Sequence, residues 1–215
     1  MSLRRTLIWG LPTLAYAAFV RWYTDFGGPL DDDEIEVYLA RLDTPDHSDE
    51  DRERIGRFMK TDTGRQFLMM NAIDYADNPP DVPGAEPGES AAKLMDRYMK
   101  HMYAELFKRA CHPTLIGKAV GDAIDLVGVE DLETAERWDA GAVFRWRSRR
   151  AFCDIVTIPE TTGRHEFKVA ALDKTISYPI EPQLNLGDPR ALLGLFLLAV
   201  ATLSDLLSTP TGRRR

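Results

Sequence analysis

Between Gln66 and Pro182 short apolar runs alternate with helical stripes, and their order restricts the folds open to this chain more than any other feature. "QFLMMNAIDY", residues 66–75, is short, continuously apolar and bounded by breakers, which marks a buried strand. Residues 76–90 hold four prolines and two glycines and form a loop. From Ser90 to Ala110, Met95, Met99, Met102 and Leu106 make one helical stripe with Tyr98 beside it. Such a stripe is ordinarily core packing. "CHPTLIGKAV", 111–120, turns at Pro113 into a second strand, and "DAIDLVGV", 122–129, extends it; "EDLETAERW", 130–138, is a short helix or a loop. "AGAVFRWR", 140–147, alternates as a third strand. Ser148 caps a helix carrying Phe152, Ile155 and Val156, which Pro159 interrupts. "RHEFKVAALDKT" resumes a helix, and "TISYPIEP", 175–182, is a fourth strand that Pro179 assigns to an edge or an end.

The order β-α-β-β-α-β gives the fold class α+β, a ferredoxin-like antiparallel sheet with two helices on one face. The other face is left bare, and a second copy of the chain is the expected cover, making a homodimer. Ahead of the sheet, "DDDEIEVYLARLD" places Ile35, Tyr38, Leu39 and Leu42 on one helical face. Ser48 and Asp51 form a capping pair for a second helix with Ile55, Phe58 and Met59, and Gly64 is its expected C-cap. The net charge of −7 argues against nucleic acid as a partner. Cys111 and Cys153 lack metal-ligand spacing and are expected as two separate thiols, or as one disulfide in an oxidising compartment; no metal cluster or cofactor motif is present.

Both termini are apolar. "MSLRRTLIWGLPTLAYAAFVRWY" runs uncharged from Thr6 to Val20 between Arg4–Arg5 and Arg21. It fits a signal peptide, with "AYA" at 15–17 as cleavage site, or a short anchor closed by the aromatic pair Trp22–Tyr23. "ALLGLFLLAVATLSDLL", 191–207, precedes "GRRR". Two such segments predict terminal transmembrane helices, and therefore the lipid bilayer as a partner. Gly194 and Ala199 offer close contact if the two pair as a hairpin. The terminal arginines then lie in the cytoplasm and the middle of the chain is extracytoplasmic, although Arg21 and Arg190 oppose this. The expected organisation is an anchor at 1–25, a helical arm at 31–62, a ferredoxin-like domain at 63–184 and a membrane helix at 189–209.

"FRWRSRRAFCDIV" with "HEFKVAALDKTISYPIEP" resembles an uncharacterised family of the dimeric α/β-barrel superfamily, and "GRQFLMMNAIDYADNP" and "CHPTLIGKAV" resemble its first strands. The similarity covers about residues 60–182. The wider superfamily includes cofactor-free monooxygenases and haem-degrading enzymes that hold substrate between sheet and helices. The resemblance implies that Asn71, Tyr98, His112, Arg145, Arg147, Arg149, His165 and Lys168 gather at one end of the sheet. Arg145 and Arg147 share one side of their strand, and Arg147 or Arg149 with Ser148 is placed to hold a carboxylate or phosphate. The alternative is pairing with helix carboxylates, with Arg150 facing water. His112 or His165 is the candidate general base. The leading expectation is a membrane-anchored domain that binds a small polar or anionic molecule. The alternatives are a cofactor-independent oxygenase-like or isomerase-like enzyme, and a membrane scaffold built on the acidic arm.

Overall fold

A computed structural model describes residues 2–43, 48–128 and 134–208. The expected segment 130–138 falls partly, and the terminal arginines 213–215 wholly, outside these residues. The elements in chain order are α1 (Leu3–Tyr23), α2 (Asp32–Arg41), α3 (Asp49–Lys60), β1 (Phe67–Tyr75), α4 (Ala91–Lys108), β2 (His112–Lys118), β3 (Ala140–Trp146), α5 (Arg149–Val156), α6 (Pro159–Thr162), α7 (His165–Ala170), β4 (Leu172–Ile180) and α8 (Pro189–Ser208). They form two compact units: residues 25–181, and the two ends of the chain together.

In the larger unit the four strands make one sheet in the order β2-β3-β1-β4 with every neighbouring pair antiparallel. This is the ferredoxin-like order. Both prolines within strands, Pro113 and Pro179, sit in the edge strands β2 and β4, where a missing N–H leaves no central ladder bond unmade. The second strand ends at Lys118, so residues 122–128 do not extend it. β4 begins at Leu172, earlier than its sequence suggests, because α7 stops at Ala170. Along β1, Phe67, Met69, Asn71 and Ile73 face the helices, since alternate residues point to opposite sides. Trp146, Phe144 and Ala142 stand beside the first three of them on β3.

The local signals work as their chemistry requires. Ser148 Oγ accepts from Ala151 N at 3.1 Å and starts α5; Ser48 Oγ accepts from Asp51 N at 3.1 Å and starts α3. Asp31 and Glu34 close a reciprocal capping box on α2. The C-cap of α3 is Thr61 rather than Gly64. Gly64 serves a different need: its φ is +71°, and a Cβ there would stand 2.7 Å from the carbonyl carbon of Gly28. The core gathers Phe67, Leu94, Met102, Leu106, Trp146 and Ile155 between sheet and helices. Phe152 meets the Trp146 ring edge-on with centroids 4.9 Å apart, a geometry worth about 0.5–1.5 kcal/mol beyond buried area. The opposite face of the sheet is open, with Leu115 59%, Ile176 53% and Tyr178 52% exposed.

The smaller unit is an antiparallel helix pair. Arg5 Nη2 bonds Asp205 Oδ2 at 2.7 Å at one end, and Arg190 Nη1 reaches Thr24 Oγ1 at 3.2 Å at the other. Midway, the Tyr16 ring fills the notch at Gly194, where a Cβ would sit 3.3 Å from it. Only α8, of mean hydropathy 2.0 over its apolar window, is long and apolar enough to cross a membrane among the described helices. Of the two spanning helices expected, one meets this requirement. The uncharged run Thr6–Val20 extends only about 22 Å as a helix, short of a hydrocarbon core of about 30 Å, and Pro12 lies within it.

Candidate functional site

A cavity of about 400 Å³ lies between the sheet and helices α3–α7. That volume is within the range of small-ligand sites, roughly 300–1,000 Å³. The methionine stripe of α4 forms one wall: Met95, Met99 and Met102 with Tyr98 and Leu106. Met69, Asn71 and Ile73 of β1, Phe144 and Trp146 of β3, and Thr175 and Ser177 of β4 form the floor. Phe152 and Val156 of α5 close one side, and His165 and Lys168 of α7 the other. Asp51, Arg54 and Ile55 of α3, Thr161 and Thr162 of α6, and Leu172 of β4 complete the lining.

Four of the eight sequence candidates, Asn71, Tyr98, His165 and Lys168, line this cavity; His112, Arg145, Arg147 and Arg149 do not. The reasons are local. His112 starts the edge strand β2, and its Nδ1 contacts Pro113 O at 2.9 Å. Arg145 is buried and donates from Nε to Gln66 Oε1 at 2.8 Å and from Nη1 to Ala110 O at 2.5 Å. Ala110, in the turn after α4, has φ +56°, so this guanidinium holds a left-handed residue in place. Arg147 follows β3, and its backbone N–H reaches Cys111 Sγ at 3.3 Å. Arg149 donates to Phe58 O and to Thr61 Oγ1 (2.7 Å), lies 4.4 Å over the Phe58 ring, and pairs with Glu181 at 3.3 Å. Arg150 does not face water, as its place in the run suggests; it grips both Glu34 oxygens at 2.7 and 2.8 Å. Arg145, Arg149 and Arg150 are thus tethers within residues 25–181.

The polar groups in the cavity wall differ in how far they are committed. Asn71 Nδ2 donates to Met69 O (3.0 Å) and Ala142 O (3.1 Å), and its Oδ1 accepts from Ser177 Oγ at 2.7 Å. Thr175 Oγ1 donates to Ala72 O at 2.8 Å. The Tyr98 hydroxyl and the Trp146 Nε1–H make no hydrogen bond among the described residues. Burial pushes the Tyr98 phenol up to about 12, so the hydroxyl stays protonated at neutral pH. Lys168 has no carboxylate within ion-pair distance among the described residues; its Nζ lies 6.0 Å from the Tyr98 ring centre, and loss of hydration lowers its pKa. The His165 ring stands edge-on to Tyr98 at 6.2 Å.

The aromatic floor was missed in the sequence, although the alternation of Ala142, Phe144 and Trp146 along one strand announces it. Both thiols are buried, and burial pushes Cys111 up to about 11 and Cys153 to about 12, which leaves them unreactive at neutral pH. Both are free, not a disulfide.

No family model matches this chain, and no curated protein matches it. Solved structures do. A protein of unknown function from Rhodopseudomonas palustris, RPA0582, is 16% identical, covering 62% of this chain and 94% of its own at a TM-score of 0.50. The methylated RPA0582 protein is 19% identical, covering 66% and 98% at 0.52. A dimeric protein of unknown function with a ferredoxin-like fold from Bacteroides fragilis is 12% identical, covering 54% and 96%; its TM-score of 0.31 supports no inference. At these identities the likeness is one of fold. Fold and strand order together define a ferredoxin-like α+β domain similar to proteins of unknown function, in a chain that also carries one long apolar helix.

Proposed function

We propose that residues 25–181 bind a small molecule with an apolar body and one polar end, in the cavity between sheet and helices. The observation that carries this is the wall itself. Methionine, aliphatic and aromatic side chains surround most of the space, while the Tyr98 hydroxyl and Lys168 amine stand in it without a hydrogen-bonding partner among the described residues. Methionine walls adapt to ligand shape, and uncommitted donors fix its orientation. Because Arg145 and Arg149 are spent on tethers, the ligand's polar end meets Tyr98 and Lys168 and not an arginine clamp. If the site is catalytic, His165 is favoured over His112 as the base, because it lines the cavity.

The reading is tested by thermal melting of the full chain with uncharged amphiphiles such as naphthol. A ligand at a hundredfold excess over Kd adds about 2.7 kcal/mol, which for a unit of this size raises Tm by roughly 5–10 °C. Met99→Trp fills the cavity and removes the rise. An equal rise in the filled variant places the ligand elsewhere.

Two further readings concern where the chain resides and what it pairs with. Helix α8 holds the chain in a lipid bilayer, and the arginines that follow it at 213–215 support an extracytoplasmic side for residues 25–181. The exposed apolar face around Ile176 and Tyr178 supports a second copy as its cover. Light scattering should then report a dimer for the parent chain and a monomer for Ile176→Asp; a monomeric parent chain excludes the pairing.

A further inference from the structure

We infer that Lys168 is a reactive amine that condenses with an aldehyde or ketone carried by the cavity's ligand, forming an imine. The inference rests on the binding reading above and names the ligand's chemical class.

Lys168 projects from α7 into a cavity whose other lining is mostly methionine, aliphatic and aromatic. A lysine in such a place is ordinarily neutralised by a nearby carboxylate or by water. Here no carboxylate is within ion-pair distance among the described residues, and the acidic residue of the lining, Asp51, is already bonded to Ser48 and Arg54. An amine so placed sheds its proton more readily than an exposed one, as the lowered pKa reflects, and a neutral lysine is a nucleophile.

The alternative occupant, a carboxylate paired with a charged Lys168, is less well served. A buried anion needs several donors to replace its water. The Asn71 amide gives both N–H groups to Met69 and Ala142, Ser177 gives its hydroxyl to Asn71, and Thr175 gives its own to Ala72. The Tyr98 hydroxyl, beside the amine, and the Trp146 Nε1–H are the donors left uncommitted. Two neutral donors suit a carbonyl oxygen better than a carboxylate.

The chemistry balances without a co-reactant. The Nζ lone pair attacks the carbonyl carbon, the carbonyl oxygen takes up a proton, and the nitrogen loses one, giving a carbinolamine. Loss of water then leaves a C=N bond, so that amine and carbonyl become imine and water with no change of oxidation state. Tyr98, protonated at neutral pH, and His165, three residues before Lys168 on α7, are the proton-carrying groups on this side of the cavity.

The test incubates the full chain in detergent with benzaldehyde or hexanal, reduces the imine with cyanoborohydride, and maps the secondary amine by mass spectrometry. Lys168 should be modified several-fold faster than Lys60 or Lys118, because its lowered pKa leaves more of the amine neutral. The comparison is made within the parent chain, so it does not depend on any variant folding; Lys168→Met should then lose the fast site. Equal modification of all lysines overturns the inference. So does a rise in Tm with benzaldehyde and no adduct, an outcome that leaves the binding reading standing. No rise with benzaldehyde or with benzyl alcohol, and no adduct, overturns both.

Discussion

At the residue scale, the four arginines from Arg145 to Arg150 show how little a charge cluster says by itself. Each partner lies far away in the chain: Gln66 and Ala110 for Arg145, Phe58 for Arg149, Glu34 for Arg150, with separations from 35 to 116 residues. Spacing within the run could suggest a shared anion, but not that α2, α3 and the end of α4 would each take one guanidinium. Tyr98 and Lys168 were named through the resemblance and not through spacing, and both line the cavity. The Glu34–Arg150 pair gives a pH dependence. The hydrogen bond from Arg150 holds the Glu34 carboxyl below its ordinary value. A depressed carboxylate contributes stability that is full above its unfolded pKa and is lost as pH falls through the folded one. Glu34→Gln should therefore cost about 1 kcal/mol at neutral pH, discounted for partial exposure, and nothing at an acid pH where the carboxyl is protonated in both states. Urea melts at the two pH values read this directly; a cost that persists in acid removes the pair from the account.

At the element scale, the sheet was largely readable and the ends of elements were not. The strand assignments at 67–75 and 140–146 follow from alternation and from breakers. The early start of β4 depends on α7 stopping against α4 and β1, a tertiary event: Ala76 N bonds Ala171 O at 3.1 Å. The methionine stripe was correctly placed on one face of α4, but periodicity cannot distinguish a packed face from one that borders empty space. Helix α8 carries the membrane reading alone. At 20 residues it extends about 30 Å, the thickness of a hydrocarbon core. Deleting residues 189–208 should release the chain from membranes in alkaline extraction. If the shortened chain stays in the pellet, α8 is not what holds it.

At the scale of the whole molecule, the ferredoxin-like order brings residues from β1, α4, β4 and α7 around one space, although they are spread from Asn71 to Ser177. Met69 pairs with Phe144 and Ile73 with Thr175 across the floor. From Met69 to Ile73 the floor runs four residues along β1, about 13 Å. Trp146 and Phe152 bring an aromatic contact to the lining, and Tyr98, His165 and Lys168 stand near one another on α4 and α7. This division into an apolar run and a polar group is the physical basis of the function proposed above. It is tested most directly by diffraction from crystals soaked in bromonaphthol, whose bromine is located by anomalous scattering. The account places the bromine within about 4 Å of Met99, Met102 or Trp146. A fully occupied bromine outside the cavity, with the cavity left empty, contradicts it.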